Sequence, residues 1–354
     1  MRSLIGRIRI ALDRILTKSK EARIETAAPD KVFITGALGF IGQALMERYR
    51  ALGAEVCGMD LKADAEQSVV AGDLAEPQGW QRHAQGCEVF INTAATVSLA
   101  ADWDTYRAGS LRGVRAALDV AIAAGARRFV HFSSVAALGY DYPDEADERT
   151  PVVIGPHYRY GVAKAGSEQV VLAAHAAGEI DCTIIRPGDV YGPGSRAWLI
   201  EPLTVARTGQ LILPDEGRHA MTPVYIDDLV DGTLLAAGAA AGIGHVFILW
   251  SGEHVTCREF FAYHWRWAGR QGQPRSLPRA AALALTTLIH RANRAIGRQT
   301  EVTPDAIRML TRRGRYSIAK ARDRLGFAPQ VMLAEGMRRS EEWLREIGEL
   351  GGSA

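Results

Sequence analysis

Cysteine is scarce in this sequence of 354 residues: Cys57, Cys87, Cys182 and Cys257 lie far apart, with no CxxC pair. That argues against a disulfide framework or a zinc site and suits a reducing cytoplasm. Nor do the histidines form an HExxH or similar ligand spacing, so no metal is expected. An excess of one charge is missing too. The 42 Lys and Arg against 40 Asp and Glu leave +2, which gives no global case for binding nucleic acid. No apolar run reaches transmembrane length, and the N-terminus lacks both the unbroken apolar stretch and the small-residue cleavage site of a signal peptide. With 47% apolar and 23% charged residues, the composition is that of an ordinary globular protein, expected in the cytoplasm.

Residues 1–27 stand apart. Leu4, Ile5, Ile8, Leu12, Ile15 and Leu16 recur at helical spacing, and Arg2, Arg7, Arg9, Arg14, Lys18, Lys20 and Arg23 make the segment basic. Two readings hold equally: a helix packed on the body or on a second subunit, or a helix lying on an anionic membrane surface.

From Lys31 onward, short β-rich runs alternate with helical stretches. KVFIT (31–35), AEVCGMD (54–60), SVVAG (68–72), CEVFINTAA (87–95), RRFVHFSS (127–134) and CTIIRP (182–187) read as strands covered on both faces. Helical patterns follow, notably over 102–124 and 158–177. This alternation predicts an α/β fold, a Rossmann-type doubly wound parallel sheet. Residues 28–190 form its cofactor-binding part, with a return segment at about 222–250 whose strand is GHVFILW (244–250). Residues 191–221 and 251–354 are expected to form a smaller, mainly helical substrate lobe, with substrate in the cleft between.

Strand 31–35 runs into Gly36-Ala-Leu-Gly39-Phe40-Ile41-Gly42 and then a helix. Such a turn requires glycine to tighten, to admit the pyrophosphate and to bring helix against strand, and the helix start offers free N–H groups to phosphate. The second strand ends in Asp60, whose carboxylate can accept hydrogen bonds from ribose hydroxyls and would repel a 2′-phosphate. NAD(H) is therefore expected over NADP(H).

TGALGFIG resembles the TGxxGxxG pattern of the extended short-chain dehydrogenases/reductases, and similarity continues over about residues 31–345. GDL (72–74) resembles the family segment near the adenine, which implies Asp73 and Leu74. NTAA (92–95) resembles a strand end lining the cofactor, implying Ala94 and Ala95, with Asn92 where many members carry His. RPGDVYGPG (186–194), which brings in Pro187, VYIDDL (224–229) and the stretch 316–337 resemble later landmarks.

Tyr160 and Lys164 stand four residues apart on a predicted helix, so they share a face. A phenol is a poor base at neutral pH, and a nearby cation stabilises its anion. The resemblance implies that Tyr160 is the proton donor or acceptor and that Lys164 also holds the nicotinamide ribose. It requires a serine at the end of strand 127–134. Ser133 and Ser134 both qualify, and a family glycine five residues on, here Gly139, selects Ser134. The helix before this strand reads Ser110-Leu-Arg-Gly113 where the family usually has NxxG.

Three departures bear on substrate. Val135-Ala136-Ala137 replaces the acids of 4,6-dehydratases. Asp189 stands where sugar-nucleotide members often have Asn, and Met221 where they have Arg, although Arg218 is near. SSVAALG lacks the tyrosine of the SSxxxYG pattern. The chain is most similar to the 3β-hydroxysteroid dehydrogenase and dihydroflavonol-reductase branch, which implies an NAD-dependent oxidoreductase interconverting a secondary alcohol and a ketone on a lipophilic or ring-bearing molecule. The alternatives are an NDP-sugar epimerase using the same Ser-Tyr-Lys set, and a non-catalytic NAD-binding regulator. A homodimer is expected. LPRAAALALTTLIHRANRAIG (277–297) is an apolar, basic-flanked helix: either core of the lobe or, with residues 1–23, a peripheral contact through 277–298 with the inner face of a membrane.

Overall fold

A computed structural model describes residues 29–351 apart from 77–78, 156–157 and 299. The expected N-terminal helix lies outside the described residues. In chain order the elements are β1 (Lys31–Thr35), α1 (Phe40–Ala51), β2 (Glu55–Asp60), β3 (Val69–Ala71), β4 (Val89–Asn92), α2 (Trp103–Tyr106), α3 (Gly113–Ala123) and β5 (Arg128–Phe132). There follow α4 (Arg159–Ala176), β6 (Asp181–Pro187), β7 (Asp189–Tyr191), α5 (Glu201–Arg207), β8 (Ile212–Pro214), β9 (Ala220–Met221), β10 (Pro223–Tyr225), α6 (Ile226–Gly238) and β11 (His245–Leu249). The chain ends with β12 (Val255–Thr256), α7 (Cys257–Trp267), β13 (Arg275–Leu277), α8 (Arg279–Ala295), α9 (Pro304–Leu310), α10 (Ala319–Leu325) and α11 (Leu333–Glu346).

Seven strands form one parallel sheet in the order β11-β6-β5-β4-β1-β2-β3, so the expected doubly wound sheet is present and 245–249 does return to it beside β6. Side chains alternate between two packed faces. Phe33, Phe90 and Phe129 pack in a row under α3 and α4, the second pair stacked and the first tilted. Val32, Ile34 and Ile91 meet α1 and α6 through Leu45, Met46, Leu229 and Val230 on the other face. That second core continues without a break into the lobe, through Phe260 of α7 and Met337 of α11.

The winding reverses between β1 and β4, so a crevice opens at the carboxyl ends of those two strands. Two expected elements differ in detail. The strand predicted to reach residue 95 ends at Asn92, where Thr93 turns its hydroxyl back to the Thr35 carbonyl at 2.7 Å. The helix predicted over 102–124 is broken by a π turn at Arg107–Arg112, whose glycine-bearing stretch packs against α4, with Gly113 seated on Leu74.

Outside the sheet and its covering helices lie α5, α7, α8, α9 and α11 with the short pairs β8–β13 and β9–β12. Within this lobe α8 is not a core helix. Although it packs on α9, only Ala282 and Thr286 are buried, while Leu285 and Leu288 are exposed.

Candidate active site

The switch point places the glycine turn against the end of β4. Gly36 has φ +71°, and a Cβ there would lie 2.7 Å from the Ala94 nitrogen. A Cβ on Gly42 would come within 2.1 Å of the Gly36 carbonyl oxygen, so α1 can start only where residue 42 is glycine. Gly39, by contrast, faces little: a Cβ would meet only the Gly36 carbonyl oxygen, at 3.1 Å. As the N-cap of α1 it offers no side chain to the first-turn N–H groups, and no acidic residue lies in that turn. The result is a cradle of unsatisfied donors at a helix N-terminus, which fits the pyrophosphate of a dinucleotide. Phe40 and Ile41 flank it half-buried, Phe40 packing toward Gly194.

Asp60 is at the tip of β2. Its carboxylate accepts the Leu38 N–H at 2.9 Å and the Leu61 N–H at 2.7 Å, so it fixes the glycine turn. Each oxygen keeps a further lone pair for a ribose hydroxyl. Asp73 lies exposed beyond β3 and accepts the Ala75 N–H at 2.8 Å, while the Leu74 side chain is buried in the core. Ala94 and Ala95 line the loop after β4 half-buried, and Pro187 closes β6 in the buried interior.

The catalytic candidates converge at the end of β5. Ser134 caps a short turn (Val135–Leu138), its hydroxyl oxygen accepting the Ala136 N–H at 3.1 Å. Tyr160 enters from the first turn of α4, and Ser134 is the side chain that lowers its pKa. Closeness of turn and helix depends on Gly161, where a Cβ would sit 2.4 Å from the Ala136 carbonyl oxygen. Ser133, the competing serine, points elsewhere: it donates at 2.5 Å to Glu168, which also holds Arg186 in a two-point ion pair at 2.8 and 2.7 Å. Tyr158, the competing tyrosine, is the N-cap of α4 in left-handed conformation, with its ring against Tyr140.

Burial raises the Tyr160 phenol above its ordinary value of 10, against the lowering effect of Ser134. At neutral pH it is a protonated acid. Burial pulls Lys164 the other way, down to about 8, with Glu168 partly restoring it. Lys164 donates to the Phe132 carbonyl at 2.8 Å, which leaves two of its three N–H groups for the cleft.

Behind Lys164 lies a buried polar row that the sequence reading did not identify. Thr35, Asn92 and His131 occupy the same level on β1, β4 and β5. The Thr35 hydroxyl donates to Asn92 Oδ1 (2.6 Å), Asn92 Nδ2 meets His131 Nδ1 (3.1 Å), and His131 Nε2 meets the Ser167 hydroxyl (2.9 Å). Ser167 donates to the Lys164 carbonyl at 2.7 Å, so its oxygen accepts from His131, which places the imidazole proton on Nε2. Burial, reinforced by the Lys164 charge, holds His131 well below its usual pKa and therefore neutral. Asn92, noted only for replacing a family histidine, is the two-way link in this row.

Asp189 does not face the cleft as a lone acid. It forms a buried ion pair with Arg312 and accepts the Thr222 N–H at 2.9 Å. The Arg312 guanidinium also reaches Met221 Sδ at 3.9 Å and the Ala220 carbonyl at 3.1 Å. Arg218 is turned to the Asp215 carbonyl at 3.1 Å.

Residues 32–249 match the family described as NAD dependent epimerase/dehydratase. Among curated proteins, a 4-hydroxy-2-methyl-3-oxo-4-farnesyl-3,4-dihydroquinoline-1-oxide ketoreductase of Stigmatella aurantiaca is 28% identical over 92% of this chain and 98% of its own. A UDP-glucose 4-epimerase of Mycolicibacterium smegmatis is 28% identical as well, over 89% and 98%. Among solved structures, an epimerase from Methanothermobacter thermautotrophicus superposes with a TM-score of 0.74 at 21% identity, covering 91% of this chain and 94% of that one. The fold, the glycine cradle and the matched span together make this chain a member of the NAD-dependent epimerase/dehydratase family, an NAD(P)-dependent enzyme of the extended short-chain dehydrogenase/reductase type.

Proposed function

We propose that the protein interconverts a ketone and a secondary alcohol on a lipophilic molecule, with NAD(H) as cofactor. The observation that carries the choice of substrate class is the Asp189–Arg312 pair. At the positions where sugar-nucleotide members bring an amide and a guanidinium to the ligand, this chain has a carboxylate and a thioether. The arginine that reaches them is already bound to the carboxylate. A diphosphate meeting that arrangement would have to displace a buried charge pair. The farnesylated ketone named for the Stigmatella relative is of the proposed class.

The geometry suits reduction. When bound, reduced nicotinamide supplies hydride to the carbonyl carbon. Tyr160, protonated at neutral pH, gives its phenolic proton to the carbonyl oxygen, and the product is the alcohol. The Ser134 hydroxyl orients that oxygen. Lys164 offers its two free N–H groups to the ribose and its charge to the phenolate left behind. Oxidation is the same path reversed.

Incubation with NADH and a panel of lipophilic ketones, and in parallel with NAD⁺ and UDP-glucose, tests this reading. Loss of absorbance at the reduced-nicotinamide band with the ketones alone is the expected result. UDP-galactose formed without net NADH formation would establish the epimerase instead. For the cofactor, Asp60 predicts tighter binding of NADH than of NADPH, narrowed in Asp60→Ala; equal affinities in the unmutated protein contradict it.

A further inference from the structure

We propose that the substrate also carries an anionic group, a carboxylate or a phosphate, held by arginines beside Tyr160; this rests on the ketoreductase reading above. A polar pocket of about 130 Å³ lies between the sheet's carboxyl edge and the lobe. Tyr140 and Tyr158 form one wall, and Arg279, Arg308 and Arg313 reach it from the lobe. Tyr158 is two residues ahead of Tyr160, and Tyr140 follows the turn capped by Ser134. The two rings meet edge to face at 5.2 Å, and the Arg308 guanidinium stands 5.6 Å over Tyr158.

The charges do not cancel. Arg308 is paired with Asp305 at 2.7 Å. Among the described residues neither Arg279 nor Arg313 has a carboxylate within ion-pairing distance, and Asp141, the one acid on the lining, is exposed and unpaired. Two free guanidinium forks with two phenols nearby match the planar, multi-acceptor shape of a carboxylate or phosphate. The volume suits one such group, while the rest of a lipophilic substrate lies outside it.

A series of long-chain oxo acids, with the ketone moved stepwise from the carboxylate, tests this beside their methyl esters and the matching oxoalkyl phosphates. The readout is the ratio of kcat/KM for acid over ester. We expect the unmutated enzyme to prefer an anionic member by about ten- to hundredfold, the range of one or two charge-assisted hydrogen bonds. Arg313→Ala should reduce the ratio toward one, and Arg313→Glu should invert it, with NADH binding as the check on folding. Equal rates on acids, phosphates and esters overturn the subsite while leaving the ketoreductase standing. No reduction of any ketone overturns the ketoreductase itself, and turnover of UDP-glucose would reassign these arginines to a diphosphate and overturn both.

A separate observation concerns α8. Beside the buried Ala282–Thr286 stripe, Ala281, Ala284, Leu285, Leu288, Ala292 and, at the helix end, Ile296 are all exposed, Leu288 and Ile296 at 67% each. Arginines 279, 291, 294 and 298 flank them, and from Phe260 to Thr300 the sequence holds seven arginines and no acid. An exposed apolar helical surface with this local excess of arginine complements an anionic lipid surface. We infer that α8 rests on such a membrane, beside the pocket that Arg279 enters.

Co-sedimentation of the full chain with phosphatidylcholine vesicles, with and without phosphatidylglycerol, tests the inference. Pelleting should require phosphatidylglycerol, weaken in high salt and be lost in the double variant Leu285→Glu, Leu288→Glu. The basic segment 1–27 is present in both proteins, so the difference reads α8 alone. Unchanged pelleting of the double variant, or no pelleting of either protein, overturns the inference. So does a dimer that the same substitutions convert to monomer without any lipid dependence, because the face would then belong to a second copy.

Discussion

Ser134 and Ser133 are neighbours with opposite assignments, and their partners explain why. Ser133 is bound to the buried Glu168–Arg186 pair, whereas Ser134 accepts the Ala136 N–H and is the group that lowers the pKa of Tyr160. Tyr160→Phe should therefore lower turnover by roughly 10²- to 10⁴-fold, the usual worth of a positioned acid, while NADH affinity stays near that of the unmutated protein. Retained turnover, read by NADH oxidation, would move the role to Tyr158. Lys164 makes a thermodynamic prediction. Its folded pKa of about 8 lies below the roughly 10.4 of an unfolded lysine, so burial penalises the charged form and destabilises the fold at neutral pH. That penalty is fully present below pH 8 and is relieved as pH rises from about 8 to about 10, by roughly 3 kcal/mol at most. Denaturant unfolding of the unmutated protein and Lys164→Met across that window checks this. The stability difference should shift toward the unmutated protein by up to that amount; parallel curves contradict it.

Elements divide by how locally they are specified. β1, the glycine turn and α1 were legible because each demand is met within a dozen residues: a continuous apolar run, three glycines and a helix start. The Tyr160–Lys164 helix was legible for the same reason. The π turn at Arg107–Arg112 was not, because a helical pattern with Gly109 and Gly113 does not say where one residue is inserted; contact with α4 and Leu74 decides that. The row Thr35, Asn92, His131 was illegible for a different reason. Its members are 57 and 39 residues apart and become neighbours only through strand order and register. The Glu168–Arg186 pair belongs to this class and ties α4 to β6. Removing one charge leaves the other buried, so Glu168→Gln should cost about 3–5 kcal/mol in denaturant unfolding. A cost below 1 kcal/mol would mean that the pair is not a principal anchor of α4.

At the scale of the whole molecule, the sheet brings two chemistries to one edge. The switch point between β1 and β4 offers donors for a dinucleotide, and the end of β5 offers a phenolic acid, a serine hydroxyl and a lysine. The C-terminal part is pinned to this body by Arg312 on Asp189, a contact no linear motif contains because its partners are 123 residues apart. The sheet was foreseeable from alternation alone; the way the lobe meets it was not. The central claim is that this edge transfers hydride and proton to a carbonyl. The most direct measurement follows the label from [4-²H]NADH into the product of a lipophilic ketone by mass spectrometry, using the cofactor's two diastereomers in turn. One deuterium at the carbinol carbon from a single diastereomer, with none when Tyr160 is phenylalanine, is the predicted result. Unlabelled alcohol, or labelled alcohol formed equally well by Tyr160→Phe, would contradict the account.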